Sequence, residues 1–378
     1  MQVSTLPIPA AADPADTGPY SRLPESATRR FRIRKPAPAR SRPSSAIATT
    51  VVFDSYWRFA AERLAIYYRR LRNEPSPWTD DPILAAYRFT NTFRAADRVT
   101  QYLIREIQYH PDRSQAPREL FFRTLFFKIF NKIETWEALE RAHGPLAWST
   151  VDLASLDRTL SGLLADNQRI YSAAYIMPAP LLGATRKHTN HLKLIAAMMA
   201  DRLPDRLKQL PDLKSVYERV LSYPGLGPFL AFQYTIDLNY SAMLDFDEAE
   251  FVVAGPGALD GISKCFASTG GVSPETLLHW VTDRQQEELA VRGIDFRGLF
   301  GRRLQPIDCQ NLFCEISKYA RVAHPDFRGT ADRQRIKQGY RLNPRPLPQP
   351  IFPPRWKLDV PAYTVADKVL ASRQPALL

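Results

Sequence analysis

Apolar positions along this chain recur at intervals of three and four, and no convincing run alternates every second residue. The pattern therefore predicts helices throughout and an all-α fold. In FDSYWRFAAERLAIYYRRL the apolar stripe is Phe53, Tyr56, Trp57, Ala60, Leu64, Tyr67, Tyr68 and Leu71, while Arg58, Glu62, Arg63, Arg69 and Arg70 take the other face. A second helix is predicted to follow Pro77-Trp78-Thr79, capped by Thr79 or Asp80 with Pro82 in its first turn. On it Tyr87, Asn91, Arg94 and Arg98 form a polar stripe beside Phe89 and Phe93, with Asp97 next to it. Residues 119–139, ELFFRTLFFKIFNKIETWEAL, crowd so many aromatics into one window that the helix should be buried on most sides. HTNHLKLIAAMMADRLPD predicts a helix ending before Pro204, after a break at AAYIMPAP (173–180). PIDCQNLFCEISKYARVAHP predicts a last one, with Leu312, Phe313 and Ile316 inward and Asp308, Asn311, Glu315 and Lys318 along another face.

The stretch that organises the chain lies between these. VYERVLSY is helical by its spacing, Pro224-Gly225-Leu226-Gly227 cannot continue that helix, and Pro228 suits the first position of a new one. Two helices pinched around such a turn make a helix-hairpin-helix candidate, in which Gly225 and Gly227 let backbone N–H groups face a DNA phosphate. Pro-Gly turns also join helices in proteins that never meet nucleic acid. Beyond the turn, Gln233 and Asp237 lie four apart on a helix otherwise made of Phe229, Leu230, Phe232 and Ile236. An amide and a carboxylate on such a helix need partners or a task. Lys128 and Asn131 raise the same question inside their aromatic window. Gly255-Pro256-Gly257 makes a second tight turn, either another set of backbone donors or a corner, before a short helix at Ile262 to Phe266.

With 378 residues, 45% of them apolar, the chain can bury one large core or two modest ones. No apolar run is long enough to span a bilayer and the N-terminus has no signal pattern, so a protein inside the cell with no membrane association is expected. Cys265, Cys309 and Cys314 have no metal-ligand spacing, and no cofactor is indicated. His188 and His191 stand three apart without a carboxylate or cysteine to join them, so a surface helix end is expected there and no metal. The net charge of +12 is carried by the ends: residues 1–50 hold eight Lys/Arg against three acids, residues 328–378 ten against three. Both ends are proline-rich, and residues 1–50 and 326–378 are read as basic, disordered arms around a helical unit at 51–325. Such arms could neutralise DNA phosphates without reading sequence.

The hairpin and its flanks resemble those of the DNA base-excision glycosylase superfamily, in which a catalytic aspartate lies 23 residues beyond the hairpin proline; Asp247 stands at that distance from Pro224. The position of the lyase lysine is Phe229 here, and the cysteines some members use for iron and sulfur are absent. From Phe53 to Tyr319 the chain is more similar still to the helical domain named for 5-hydroxymethyl-deoxyuridine DNA kinases and to the related α-glutamyl/putrescinyl-thymine pyrophosphorylases. The motifs are the ER…R pattern of Glu62, Arg63 and Arg70, PWTDDPI, FRTLFFKIFNKIETW, the hairpin and CE..KY at Cys314 to Tyr319.

The resemblance implies a two-lobed fold with a cleft and action on DNA. A flipped thymine derivative with an activated 5-hydroxymethyl group would exchange its leaving group for an amine. Arg63, Arg70, Asn91, Arg94, Arg98, Lys128 and Asn131 would bind the base and its anionic group, with Gln233, Asp237, Asp247, Glu315 and Lys318 as catalytic candidates. At least two of Asp97, Asp237, Asp247 and Glu315 are expected to converge with Arg94, Arg98 and Lys128 in one cleft beside the hairpin, since unpaired buried charge is costly. No Gly-x-x-x-x-Gly-Lys loop occurs, so a P-loop DNA kinase would be a separate partner, as would a base hydroxylase. A non-catalytic reader of modified DNA and a monofunctional DNA base glycosylase are the alternatives.

Overall fold

The computed structural model describes residues 46–173, 177–331 and 333–363. In chain order they form strand β1 (Ile47–Thr49), α1 (Val51–Leu71), α2 (Pro82–Ala86), a 3-10 turn (Arg94–Ala96), α3 (Arg98–Tyr102) and a π-helical turn (Leu103–Gln108). There follow α4 (Pro117–Phe130), α5 (Ile133–His143), α6 (Leu153–Ala165), α7 (Lys187–Ala200), α8 (Leu203–Leu207), α9 (Leu213–Leu221) and α10 (Pro228–Tyr240). The chain continues through α11 (Pro256–Cys265), β2 (Phe266–Thr269), α12 (Pro274–Asp283), α13 (Gln285–Val291), α14 (Pro306–Ala323) and a 3-10 turn (Pro354–Trp356). The fold is all-α apart from β1 and β2, which pair antiparallel, Ile47 opposite Thr269. Among the described residues no helix is long and apolar enough to cross a membrane.

Contacts divide the chain into two compact units. The first holds residues 106–246 and the second residues 46–105 and 247–363 of the described chain. The hairpin belongs to the first.

In the first unit α4 is buried from Glu119 to Phe130 and α10 from Leu230 to Tyr240, the result expected of helices that are apolar on every side. Phe126 packs on Phe130 and Trp136, and Phe130 stacks on Tyr171 with centroids 4.9 Å apart. The single helix expected over 119–139 is two: Asn131 takes the left-handed conformation at φ 48° and ends α4. Asparagine tolerates that conformation better than most residues, which is why the chain can turn there. His188 and His191 are buried, contrary to the expected surface helix end. His188 Nε2 meets Ser161 at 3.0 Å; His191 lies between the Tyr171 hydroxyl at 2.7 Å and the Pro178 carbonyl at 2.9 Å. Burial holds His191 down to a pKa of about 4.

In the second unit α1 buries the stripe its spacing predicts, from Val52 and Phe53 through Trp57 and Ala60 to Leu71. Thr50 caps it, accepting from Val52 N–H at 3.2 Å and donating to the Lys264 carbonyl at 2.6 Å. The helix expected across residues 82–98 is broken instead. Asp81, one residue beyond the expected caps, accepts from Ile83 and Leu84 N–H at 2.8 and 3.0 Å, and α2 ends at Ala86. Tyr87 then bridges Gly339 in an antiparallel pair, with Arg88 N–H donating to Gln338 and Tyr340 N–H to Ala86. The run Thr90-Asn91-Thr92 is not helical, in keeping with side chains that compete for backbone hydrogen bonds.

The C-terminal tail is held too. Gln101 exchanges hydrogen bonds with both backbone groups of Ile351 at 3.0 and 3.1 Å, Phe352 is buried, and the Arg302 guanidinium lies 3.9 Å over the Trp356 ring. The reading of residues 326–378 as a free arm is corrected for residues 333–363 by these contacts. The arm expected at residues 1–50 falls outside the described residues up to residue 45 and is corrected for 46–50, where Ile47–Thr49 pair with β2 and Thr50 caps α1; residues 364–378 and residues 174–176 of the AAYIMPAP break also lie outside.

Helix α11 meets α14 through glycine. A Cβ at Gly257 would lie 2.4 Å from Cys314 Sγ, and one at Gly261 would lie 1.9 Å from the Phe313 carbonyl oxygen. Four residues apart, they clear one face of α11 so that the two backbones nearly touch. Helix α11 runs from Pro256 to Cys265, longer than expected, with Gly255 buried as its N-cap. Gly255-Pro256-Gly257 is thus a packed corner, and the expectation that Gly255 and Gly257 hold a DNA phosphate is withdrawn. Gly261→Ala should cost about 3 kcal/mol or more, the upper end for overpacking, because the obstacle is backbone. Urea unfolding of the variant beside the parent measures it.

Candidate functional site

Arg63, Asn91, Glu315 and Lys318 come from three distant segments of sequence, and the second unit brings them together. Helix α14 supplies Glu315 and Lys318 one turn apart, their ion pair closing at 2.8 Å. Glu315 is buried and its Oε2 also accepts the Thr90 N–H at 3.1 Å. One turn earlier Asn311 donates to the Thr90 hydroxyl at 3.0 Å and to the Asn91 carbonyl at 3.3 Å. Helix α14 therefore grips the non-helical segment 90–91 as a strand would, by its backbone. Lys318 Nζ sits 4.7 Å over the Phe89 ring, and the Tyr319 hydroxyl donates to Asp81 at 2.7 Å.

Helix α1 completes the site. Arg63 is half-buried; burial lowers its pKa, while the carboxylates of Asp97 and Glu315 act against that and the Arg70 cation adds to it. Arg70 stacks 4.8 Å over Trp78 and donates to the Asn343 carbonyl at 3.2 Å. Glu62 instead holds Arg69 at 2.8 Å. Asn91 is buried, donates from Nδ2 to the Ala96 carbonyl at 3.4 Å, and its Oδ1 has no hydrogen-bond partner among the described residues. These residues offer cations, a buried carboxylate and an unanswered amide oxygen, the donors and acceptors for a ligand with both an anionic and a hydrogen-bonding part.

The other arginines of the expected stripe go elsewhere. Arg98 is exposed at the start of α3. Arg94 is buried, its backbone N–H donating to Asp308 Oδ1 at 2.8 Å, and its charge acts on both Asp308 and Glu248. Asp308 also accepts the Gln305 N–H at 3.0 Å and closes the capping box of α14. Glu248 is buried against Arg302 at 3.1 Å. Burial raises Glu248 to about 7 and Asp308 to about 6, more than the nearby arginines lower them. Asp247, the counterpart of the glycosylase aspartate, is exposed and accepts from Ala249 N–H at 2.8 Å. The buried carboxylate is its neighbour Glu248, which sequence reasoning passed over because a glutamate in DFDEAE reads as surface.

In the first unit the hairpin is present: α9, a turn at Tyr223 to Gly227, and α10 with Pro228 at its first position. Gly225 has φ +79°, and a Cβ there would lie 2.9 Å from Pro180 Cβ, so this glycine serves the turn and its packing. Gly227 is exposed, caps α10 without a side chain and has open space where a Cβ would go. Deeper in α10, Asp237 is fully buried and pairs with the buried Lys128 at 3.0 Å. Gln108 donates to the Asp237 carbonyl at 2.8 Å and to Thr124 at 3.1 Å. Gln233 and Asn131 are buried as well, Asn131 with an Oδ1 lacking a hydrogen-bond partner among the described residues.

A carboxyl that holds its proton more tightly folded than unfolded stabilises the fold most at low pH and loses that advantage as pH rises through its folded pKa. For Glu248, raised from 4.5 to about 7, the window lies between those values. The stability of the parent relative to Glu248→Gln should therefore fall by about 3 kcal/mol between them. Urea titrations of both proteins at several pH values measure the difference, and a flat one would mean that Glu248 is ionised throughout.

Comparison with known proteins follows from these motifs. Residues 50–329 match the family model described as 5-hmdU DNA kinase, helical domain. A 5-hmdU DNA kinase of Bacillus phage SP10 is 25% identical over 289 residues, which is 71% of this chain and 45% of that protein. The chain thus spans a little under half the length of this curated relative. No solved structure matches. With the family model covering most of its length, including every residue of the α1–α14 site except those of the C-terminal segment, the chain belongs to the family of the 5-hmdU DNA kinase helical domain.

Proposed function

We propose that this chain acts on DNA in thymine hypermodification, and that the site formed by α1, the 87–98 segment and α14 receives a base derived from 5-hydroxymethyluracil. The observation that carries this reading is the meeting of Arg63, Asn91, Glu315 and Lys318, far apart in sequence, inside a family whose curated relative is named for 5-hmdU DNA. Asn91 Oδ1 offers an acceptor for the N–H of a pyrimidine edge. Arg63 and Lys318 suit the anionic group of an activated 5-methylene substituent.

The reaction proposed is substitution at that methylene. Its C–O bond breaks, pyrophosphate leaves with the electron pair, an amine forms the new C–N bond, and the proton lost by the amine passes to Glu315. Glu315 is preferred to Asp237, which is closed in its pair with Lys128, and to Asp247, which is exposed and engaged with its own backbone. The pyrophosphoryl transfer, or the two successive phosphoryl transfers, from ATP that create the leaving group fall to a separate kinase activity, since the sequence holds no P-loop motif.

The protein should bind a duplex containing 5-hydroxymethyluracil more tightly than its thymine counterpart, and after treatment with a DNA kinase, ATP and an amine the digested nucleosides should show the amine adduct. Arg63→Gln should weaken binding of the kinase-treated duplex, whose substituent is anionic, and Glu315→Gln should remove the adduct, with fluorescence anisotropy and mass spectrometry as the readouts. A preference without any adduct would make the protein a reader, release of free base a glycosylase, and no preference would end this reading.

The hairpin is proposed to hold the DNA backbone through the open N-terminus of α10. Gly227→Val has room for its side chain and should weaken duplex binding by about 1 to 3 kcal/mol, the scale of hydrogen bonds to a charged group. Equal affinity in a variant with unchanged melting temperature would make the turn purely structural.

A further inference from the structure

A cavity of about 410 Å³ opens at the C-terminal end of α14, lined by Lys264, Arg321, Arg328, Arg333 and Arg335, with Asp326 as the lining acid among the described residues. It is built from α11, α14 and the segment after α14, and it shares no residue with the Arg63–Glu315 site. The C-terminal end of a helix carries partial negative charge and welcomes a cation, but one or two would answer it. Five basic side chains converge here, beyond what the helix end requires.

The floor of the cavity is ordered. Lys264 is 2% exposed, lies 3.3 Å from Asp260 Oδ2 and donates to the Ser317 carbonyl at 2.9 Å. Asp260, also buried, accepts from the Ser317 hydroxyl and, at 2.7 Å, from Ala331 N–H. Its negative charge is thus already shared among three donors. Gly329 lets the loop settle on this pair, since a Cβ there would lie 2.2 Å from Asp260 Oδ1 and 2.8 Å from Lys264 Cε. Arg321 is half-buried, donates to the Arg335 carbonyl at 3.2 Å, and its Nε is buried without a hydrogen-bond partner among the described residues. Burial lowers the pKa of both Lys264 and Arg321, with Arg333 close enough to lower Arg321 further. Arg328, Arg333 and Arg335 are exposed at the rim.

We propose that this cavity is a binding site for phosphate groups. A partly desolvated cation with an unanswered N–H, a fixed lysine behind it and three exposed guanidinium groups around the mouth match the several oxygens and multiple charge of a phosphate better than the single charge of a carboxylate. The volume admits a phosphate together with the sugar or second phosphate attached to it. Two sources share that chemistry, the backbone of bound DNA and a free pyrophosphate or nucleotide.

The test uses the full chain with Arg333→Gln and Arg335→Gln together, exposed positions whose change leaves the core untouched, and Arg321→Gln as a second variant. Arg141→Gln with Arg158→Gln removes the same charge from exposed positions elsewhere and serves as the control. Inorganic pyrophosphate is titrated by calorimetry, and a short thymine duplex by anisotropy at several salt concentrations. If the source is a free anion, pyrophosphate binds the parent and the control alike and the rim variant at least about tenfold more weakly. If the source is DNA, the rim variant lowers the salt slope of duplex binding by about one per arginine lost, and the control does not. Equal behaviour of rim variant and control in both titrations would overturn the proposal, and so would equal behaviour of Arg321→Gln and the parent in both. These readouts use unmodified DNA, so they stand whether or not the α1–α14 site accepts a modified base.

Discussion

Helix α14 can lie against α11 only because Gly257 and Gly261 offer it no side chain, and most of the chemistry in the second unit hangs from that approach. Asp308 at its start, Glu315 and Lys318 in its middle, and Ser317 and Arg321 toward its end each reach a different partner from the same helix. Displacing α14 by the width of a methyl group would disturb at once every contact that reaches from it to another segment. Hydrogen bonds and ion pairs near 3 Å lose their value over about that distance, so a packing constraint between two backbones sets the tolerance of the polar sites.

The protein manages charge away from water by pairing it. Asp260 with Lys264, and Asp237 with Lys128 in the first unit, are each buried as a pair, while Glu248 is buried against a half-buried Arg302. Two charges brought together in an apolar interior gain little net stability, but removing one strands the other at a cost of several kcal/mol. Such pairs are therefore better at enforcing an arrangement than at strengthening it. Glu315 with Lys318 differs in degree, because Lys318 is half-exposed and rests on an aromatic face. Its pair can open toward solvent or a ligand without abandoning a charge in the core.

Much of this was legible in the sequence where one helix faces one core. The stripe of α1, the aromatic burial of α4 and the boundaries around Pro224 to Pro228 follow from spacing and from the chemistry of proline and glycine. The segment from Tyr87 to Asp97 was not legible as a period. Its polar residues fall at helical intervals, yet its backbone is claimed by Gln338, Glu315 and Asp308, partners more than two hundred residues away. Local pattern carries no information about such partners. Glu315 was found as a candidate through the CE..KY motif and Asn91 through the spacing of its polar stripe, whereas Thr90, Asp81 and Tyr340 emerged only when the chain was folded. Glu248 was missed for a related reason: its burial is imposed by Arg302 and by a C-terminal segment that composition alone assigns to solvent.

That C-terminal segment changes the meaning of the protein's positive charge. A net +12 concentrated at the ends first suggests arms that attract any polyanion, with an energy that depends on charge count and salt but not on shape. In the folded chain part of that charge has an address. Arg333 and Arg335 stand at the mouth of a cavity beside α14, Arg302 and Arg355 stand near Trp356 and Glu248, and residues 338–340 lie in register with the segment after α2. Fixing a cation costs conformational entropy that a free arm never meets, and the return on that cost is geometry. A protein that needed only to stay near DNA would gain nothing from holding its arginines in place, so their fixation argues for ligands whose phosphates arrive in one orientation.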